Sequence, residues 1–347
     1  MKVLIISTAF FGYQDSVASA FANLGHQVVI ETYDSPIHPF RGLLKWRHKF
    51  SCNKVKLRKR AADKYNKYII GRFDRIRPDL VFILNGEILH AQTLDTFRKQ
   101  SKVAVWMYDA LSRYPDCREH IDHVDAFFCY ECEDVKSLSE EGKKAWFLPQ
   151  ACDESVYYIV EGEKELDILF VGNLYKYYRR VRYIKRVIER FRDKKITVYG
   201  VYKPYYKNTL KWLFREKRSI FKNKNIPPSE VNRLYNKARV VLNIHHETQQ
   251  NGANPKVYEI CGSGAYQICD ANPYIESIFP HGEVGLYHNE EELIALIDRA
   301  LTHDQCENAK KAHEIIYREH TFLHRIENVL KIMGSQGKIE LKDTVYA

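Results

Sequence analysis

Short apolar runs recur along this chain at the length of buried strands, each parted from the next by a helix-forming stretch, and halfway along the pattern starts again. Lys2–Ser7, Val28–Thr32, Leu80–Leu84, Val103–Met107, Ala126–Cys129 and Ala145–Leu148 form the first series. Asp167–Gly172, Ile196–Gly200, Val240–Ile244 and Ala265–Asp270 form the second. A strand with one wet face would alternate apolar and polar, whereas these runs are nearly continuous, so they predict parallel sheets covered on both sides by helices. The class is therefore α/β, with two Rossmann-like domains. In such sheets ligands bind beyond the carboxyl ends of the strands. That places the loops Phe11–Asp15, Asn85–Glu87 and Tyr108–Arg113 along one edge of the first domain.

The connecting stretches read as helices. Ser16–Leu24, closed by Gly25, and a long basic stretch from Leu43 to Ile76, stopped before Pro78, serve the first half. In the second half, Arg180–Phe191 is followed by a helix opening at Pro227-Pro228-Ser229-Glu230, with Ser229 as N-cap. Lys256–Cys261, Glu290–Leu301 and Cys306–Leu330 complete the set. The polar stretch Glu161–Glu165 reads as a linker. This gives domains at 1–155 and 165–330, with 331–347 as a polar tail; 347 residues suffice for two separate cores.

No run approaches the roughly 20 apolar residues of a membrane span, and the short apolar start leads into Gly12-Tyr13-Gln14-Asp15 without a small-residue cleavage site. The expected compartment is the cytoplasm. Eight cysteines stand at 52, 117, 129, 132, 152, 261, 269 and 306. Cys129 and Cys132 have CxxC spacing, but no second pair or Cys/His cluster completes a zinc site, so buried thiols are expected, with no metal and no disulfide.

The net charge of +10 is unevenly placed: Arg41 to Arg72 carries twelve Lys/Arg against one acid, Asp63. A second basic region runs from Lys176 to Lys224. Such a stretch is either a solvated helix face or a contact for phosphates, and residues 41–72 are the candidate for peripheral contact with an anionic membrane or acceptor. No helix-turn-helix, zinc finger or other nucleic-acid module accompanies it, so nucleic acid is not an expected partner.

Two segments carry candidate chemistry. Gly172-Asn173 follows a strand and precedes a helix bearing Arg179 and Arg180. A glycine there lets backbone approach a phosphate, the helix start favours an anion, and arginines add charge-assisted bonds to a diphosphate. The GxGxxG fingerprint of dinucleotide binding is absent. The second segment, Asn243 to Asp270, reads NIHHETQQNGANPKVYEICGSGAYQICD. A glycine-containing loop leads into a short helix with Lys256 near its start and Glu259 about a turn later, placed to accept the hydroxyls of a ribose. The alternative is a surface helix with Lys256 and Glu259 as an ordinary pair. His245 and His246 lie near the same loop.

Asn254-Pro-Lys-Val-Tyr-Glu259-Ile-Cys-Gly-Ser-Gly264 resembles the NxRxFE…G segment of the CgeB-like glycosyltransferases, a spore-maturation-type family of GT-B fold. Further landmarks follow that family's order: Arg77-Pro-Asp-Leu-Val-Phe, Val105-Trp-Met-Tyr-Asp109, Leu148-Pro-Gln-Ala-Cys-Asp153, Asp167-Ile-Leu-Phe-Val-Gly172 and His320-Thr-Phe-Leu-His-Arg325. The resemblance implies two facing domains, a nucleotide-diphosphate-sugar donor (UDP or dTDP) in the C-terminal one and a glycan or protein acceptor on the N-terminal one. It implies that Glu259 binds the ribose, and that Gly172, Asn173, Arg179 or Arg180, and Lys256 hold the diphosphate, with His245, Asn251 and Asn254 in the same donor set. It also implies that no metal or other cofactor is needed, since basic side chains and a helix dipole stabilise the leaving diphosphate.

Two positions depart from the family pattern. Asn251 stands where related retaining enzymes carry Glu, which leaves the stereochemical outcome open. Lys256 replaces the usual Arg, which keeps the charge and loses the bidentate fork. An inverting reaction needs a base for the acceptor hydroxyl. Asp109, Glu87 and Asp15 qualify by position, Asp109 first because it directly ends a buried strand, whereas Asp15 and Glu87 also suit helix caps. The expected activity is sugar transfer in synthesis of a surface polysaccharide or glycoprotein. A nucleotide-sugar epimerase of similar fold and a non-catalytic anion- or nucleic-acid-binding protein are the rival readings.

Overall fold

The computed structural model describes residues 1–9, 12–33, 54–174, 178–200, 219–222, 224–247 and 249–335. Their contacts divide the chain into two compact units. The first comprises Met1–Tyr130, Asp134–Leu148 and the chain from Phe322; the second comprises Glu131–Glu133 and Pro149–Thr321.

In the first unit the order is β1 (Lys2–Ser7), α1 (Tyr13–Asn23), β2 (Gln27–Thr32), α2 (Lys54–Ile76), β3 (Leu80–Leu84), α3 (Ala91–Arg98), β4 (Lys102–Met107), β5 (Ala126–Cys129), α4 (Cys132–Glu140) and β6 (Trp146–Phe147). Two 3-10 segments, Leu111–Arg113 and Pro115–His123, join β4 to β5. The strands form one parallel sheet in the order β2-β1-β3-β4-β5-β6. All five residues of β3 and five of the six in β4 are buried, as an apolar run sandwiched by helices must be. The edge strand β2 is only half-buried.

The second unit runs β7 (Leu166–Val171), α5 (Tyr178–Arg190), β8 (Ile196–Tyr199), β9 (Phe221–Lys222), α6 (Pro228–Lys237), β10 (Ala238–Asn243), α7 (Pro255–Gly262), β11 (Gln267–Asp270), α8 (Pro273–Ile278), β12 (Gly285–Tyr287), α9 (Glu290–Thr302) and α10 (Cys306–Glu319). Its sheet is also parallel, in the order β12-β11-β10-β7-β8-β9. Helix α5 shows why this stretch folds as it does. Val181, Ile184, Val187 and Ile188 recur at helical spacing and are buried against the sheet, while its arginines and lysine fall between them.

Each sheet has one point where the strand order reverses, between β1 and β3 in the first and between β7 and β10 in the second. Diverging connections leave a crevice beyond the strand ends at such a point. The fold therefore singles out Asn85–Glu87 in one unit, and Gly172-Asn173 with Ile244-His245 in the other.

Several expected boundaries move. The helix expected over Cys306–Leu330 is two: His320-Thr321 interrupts it, because the His320 carbonyl accepts from the Cys152 N–H and Thr321 bridges to Cys152. The second piece, α11 (Phe322–Ser335), packs against α1 and so belongs with the first unit, where the sequence reading had counted residues to 330 in the second domain. Lys331–Ser335 of the expected tail is helical, and 336–347 lie outside the described residues. Ser229 does not cap α6: Pro227 takes the N-cap position and Pro228 the first turn, with no side-chain cap bond. Helix α1 starts at Tyr13, three residues early, behind Gly12 at φ 83°, so Asp15 sits inside the first turn instead of capping it. The basic stretch is helical over Lys54–Ile76, and 41–53 lie outside the described residues, as do 201–218 of the second basic region. No helix among the described residues is long and apolar enough to cross a membrane.

Candidate functional site

The strand ends of the second unit are cross-braced. At the end of β7, Gly172 donates its N–H to the Tyr199 carbonyl at 2.9 Å. Gly200, φ 154°, follows β8 so closely that a Cβ there would sit 1.9 Å from the Gly172 carbonyl oxygen. Only glycine fits, because the clashing atom is backbone. Asn173 is exposed, and its carbonyl accepts from Arg180 Nη1 at 3.1 Å. Arg180 Nε donates to the Ile244 carbonyl at 2.7 Å, so this arginine ties the loop after β7 to the loop after β10, across the reversal of strand order.

Arg179 is bound more deeply. Its Nη2 donates to Asp270 Oδ2 at 2.6 Å and to the His245 carbonyl at 3.1 Å, and its N–H donates to Glu247 Oε1 at 3.0 Å. His245, 2% exposed, donates its backbone N–H to Asp270 Oδ1 at 2.9 Å, and its Nδ1 lies 2.8 Å from the same oxygen. Burial alone would raise the Asp270 carboxyl, but His245 and Arg179 outweigh it and hold the group well below the usual carboxylate range.

On α7, Lys256 Nζ donates to Glu259 Oε2 at 2.8 Å. The Glu259 side chain is 2% exposed and that of Lys256 is 28% exposed. The surface-pair alternative for Glu259 thus fails on burial, though its partner is the expected one. Burial would lower the Lys256 ammonium, and Glu259 and Tyr235 overcome this and raise it. Pro255 occupies the first turn of α7 behind Asn254 at the N-cap. The Asn254 amide exchanges reciprocal bonds with the Asn243 amide at 3.0 and 3.1 Å, and Asn243 reaches Gln267. Asn251 donates its N–H to Glu131 Oε1 at 2.5 Å, and its Oδ1 accepts from the Tyr274 N–H at the start of α8.

The first unit presents its carboxylates differently. Asn85 adopts φ 62°, donates its N–H to the Trp106 carbonyl and accepts from the Tyr108 N–H, which pins the end of β3 to the end of β4. Beyond it, Glu87 is exposed and accepts from the Tyr33 hydroxyl at 2.7 Å. Asp109 accepts the Ala110 N–H at 3.1 Å and pairs with Arg113. Asp15 is exposed and accepts from Gln14 Nε2 at 2.9 Å. Burial raises the Tyr114 hydroxyl, and Asp109 and Glu87 add to the rise, so both carboxylates act on this one ring.

The structure brings Arg179, Arg180 and His245 into one network, pairs Lys256 with Glu259, and leaves Asn251 and Asn254 bracing the loop that precedes α7. Sequence reasoning missed Gly200, Asp270 and Tyr287, the last of which pairs in register with Asp270 on the neighbouring strand. Asp270 ends an apolar strand, the same signal that singled out Asp109, and Gly200 closes a strand as Gly172 does.

Residues 179–331 match a family model described as glycosyl transferase-like. Among curated proteins, none matches this chain. Among solved structures, sucrose-phosphate synthase from Thermosynechococcus elongatus is similar at 11% identity and TM-score 0.67, over 96% of this chain and 99% of that one. The α,α-trehalose 6-phosphate synthase of Burkholderia multivorans is similar at 10% identity and TM-score 0.63, over 99% of each chain. Anabaena HepE in complex with UDP and glucose is similar at 11% identity and TM-score 0.62, over 96% of this chain and 100% of that one. Two six-stranded parallel sheets with flanking helices match these structures, and the fold of this chain is GT-B.

Proposed function

We propose that this chain is a CgeB-like GT-B glycosyltransferase, which transfers a sugar from a nucleotide-diphosphate donor, UDP- or dTDP-linked, to a glycan or protein acceptor of the cell surface. The observation that carries the reading is the close Gly172/Gly200 backbone approach at the end of β7, where Arg180 ties that loop to the loop after β10 across the reversal of strand order. The Lys256–Glu259 pair lies on the helix that follows β10, and all of these residues but Gly172 lie inside the matched segment. Backbone that can come this close, with a cationic side chain beside it, suits a diphosphate. A carboxylate such as Glu259 suits the two ribose hydroxyls, since it accepts from both.

In this reading Gly172 and Asn173 lie along the diphosphate, and Arg180 and Lys256 supply positive charge as the nucleoside diphosphate leaves. Fixed charges of this kind act most where negative charge develops in the transition state. Arg179 serves less as a phosphate grip than as a strut, because two of its donors already hold Asp270, His245 and Glu247. Asp109 takes the proton of the acceptor hydroxyl, with Glu87 and Asp15 as the other candidates. No metal enters the scheme. The site of action is the cytoplasm, on sugar-linked precursors of surface glycans.

The test is a thermal-shift and calorimetric panel of UDP, dTDP, GDP, ADP and CMP on the wild type and Glu259→Ala. Stabilisation by one nucleotide, lost in the variant, is the expected result. A folded protein that binds none of them rules the reading out.

A further inference from the structure

Buried polar atoms almost always find partners, so a group of them without one needs a reason. Three gather about Asp270. Among the described residues, His245 Nε2 and Arg179 Nε have no hydrogen-bond partner, though both side chains hold this carboxylate through other atoms. The hydroxyl of Tyr287, whose residue pairs in register with Asp270 on the neighbouring strand, has none either. His245 and Tyr287 are 2% and 1% exposed. These residues lie where β10, β11 and β12 end, the side of the sheet on which α/β folds hold ligands.

The chemistry of the three atoms can be worked out from their neighbours. A carboxylate accepts and cannot donate, so Nδ1 of His245 must carry the proton that it shares with Asp270 Oδ1. With that one proton the ring is neutral and its lone pair lies on Nε2, which is then an acceptor. Arg179 Nε–H is a donor, and the Tyr287 hydroxyl is either. A phosphate oxygen offers only acceptors and leaves Nε2 unanswered. A hydroxyl both donates and accepts.

We infer that Asp270 and Arg179 are positioning residues that fix His245 in its Nδ1–H tautomer, so that Nε2 accepts a hydrogen bond from a hydroxyl of the nucleotide sugar, on the ribose or on the transferred hexose. The inference rests on the proposed donor site and adds to it the kind of group that His245 reads. Arg179 neutralises the carboxylate and holds it in place, and Asp270 in turn sets the ring. The donor's hydroxyls are thereby checked at a point apart from the Glu259 carboxylate.

The decisive experiment is long-range proton–nitrogen NMR of protein labelled with ¹⁵N in its histidine rings, with His245 assigned by difference from His245→Gln. Ligands are UDP, UDP-glucose, dTDP and dTDP-glucose, each with affinity measured by calorimetry. The free protein should show the Nδ1–H tautomer, and Asp270→Asn should lose that selection. A ligand that binds should move the Nε2 resonance: a shift with UDP alone assigns a ribose hydroxyl, and one seen only with UDP-glucose assigns the sugar. His245→Leu should weaken that ligand about three- to ten-fold, the worth of one hydrogen bond, and His245→Gln, whose amide oxygen also accepts, should lose less. A nucleotide sugar that binds the wild type and leaves Nε2 unmoved overturns the inference while the donor site stands, and the wild-type spectrum decides this even where a variant fails to fold. Binding of none of the four overturns both.

Discussion

The two units answer the same topological problem with opposite surfaces. Beyond the strand ends of the second, polar and charged groups are tied to one another, with His245 and Glu259 buried: Arg179 to Asp270 to His245, Lys256 to Glu259, Asn254 to Asn243 to Gln267. Beyond those of the first, Asp15 and Glu87 stand exposed, and half-buried Asp109 pairs with Arg113. Groups fixed before the ligand arrives lose little entropy on binding and so favour tight, selective recognition. Under the proposed function the second unit holds the nucleotide and the first the acceptor and its proton, a division that substitutions in each unit test.

The largest effect expected from breaking that division is on turnover. Asp109→Asn should lower it about 100- to 10,000-fold, the usual worth of a general base. Turnover is read as nucleoside diphosphate released from UDP-glucose or dTDP-glucose. The melting temperature should change little, since Asn keeps an acceptor for the Ala110 N–H and a partly exposed ion pair such as Asp109–Arg113 contributes about 0–1 kcal/mol. Glu87→Gln and Asp15→Asn should leave turnover nearly intact. If the loss follows Glu87 instead, the base belongs to the loop after β3.

Next in size is the asymmetry inside the second unit. Lys256→Met leaves Glu259 buried without its cation and should cost about 3 kcal/mol or more of stability. Glu259→Gln should cost less, because Lys256 keeps 28% of its side chain exposed and can turn to water. Yet Glu259→Gln is the variant that should lose nucleotide binding. Equal destabilisation by the two in chemical denaturation would show that the pair is not held as unevenly as its burial indicates.

The same contrast marks what could be read from the sequence. The strands of both sheets were legible because continuous apolar runs have few other uses, and β3 matches its expected bounds residue for residue. Two-residue β9 and three-residue β12 were not, since so short a run as Phe221–Lys222 or Gly285–Tyr287 carries no periodicity. The break at His320-Thr321 was hidden for a related reason: it is imposed by Cys152, distant in sequence, on a stretch that is locally helical. At the site, Arg179 and Glu259 were found by residue type, but what they touch was not. That Arg179 spends its donors on Asp270 follows from strand order, which decides that β10 and β11 end side by side.

Glycines at the strand ends offer a smaller test. Gly200→Ala puts a methyl into the Gly172 carbonyl, backbone against backbone, and should cost about 2–3 kcal/mol, as overpacking does. In the first unit Gly86, φ 83°, would bring a Cβ to 2.8 Å from Ile83 Cγ2, on a buried β-branched side chain with little room to turn. Gly86→Ala should therefore cost about 2–3 kcal/mol, from its left-handed backbone and the contact with Ile83 together. Nucleotide binding should fall with the first substitution and survive the second.

The smallest effect is on acid stability. The Asp270 carboxyl is raised by burial and lowered further by His245 and Arg179, so its folded value lies below the unfolded one of about 3.9. A group depressed in this way binds a proton less readily when folded. Its contribution is complete above about pH 4 and is withdrawn as the pH falls toward the folded value. One group can bend stability by at most ~1.4 kcal/mol per pH unit, so between about pH 4 and 3 the loss is about 1 kcal/mol. Asp270→Asn should be less stable than the wild type near neutrality and lose less on acidification, so the two denaturation midpoints converge in acid. Parallel curves for wild type and Asp270→Asn would mean that the His245–Asp270–Arg179 network does not set the acid limit of its unit.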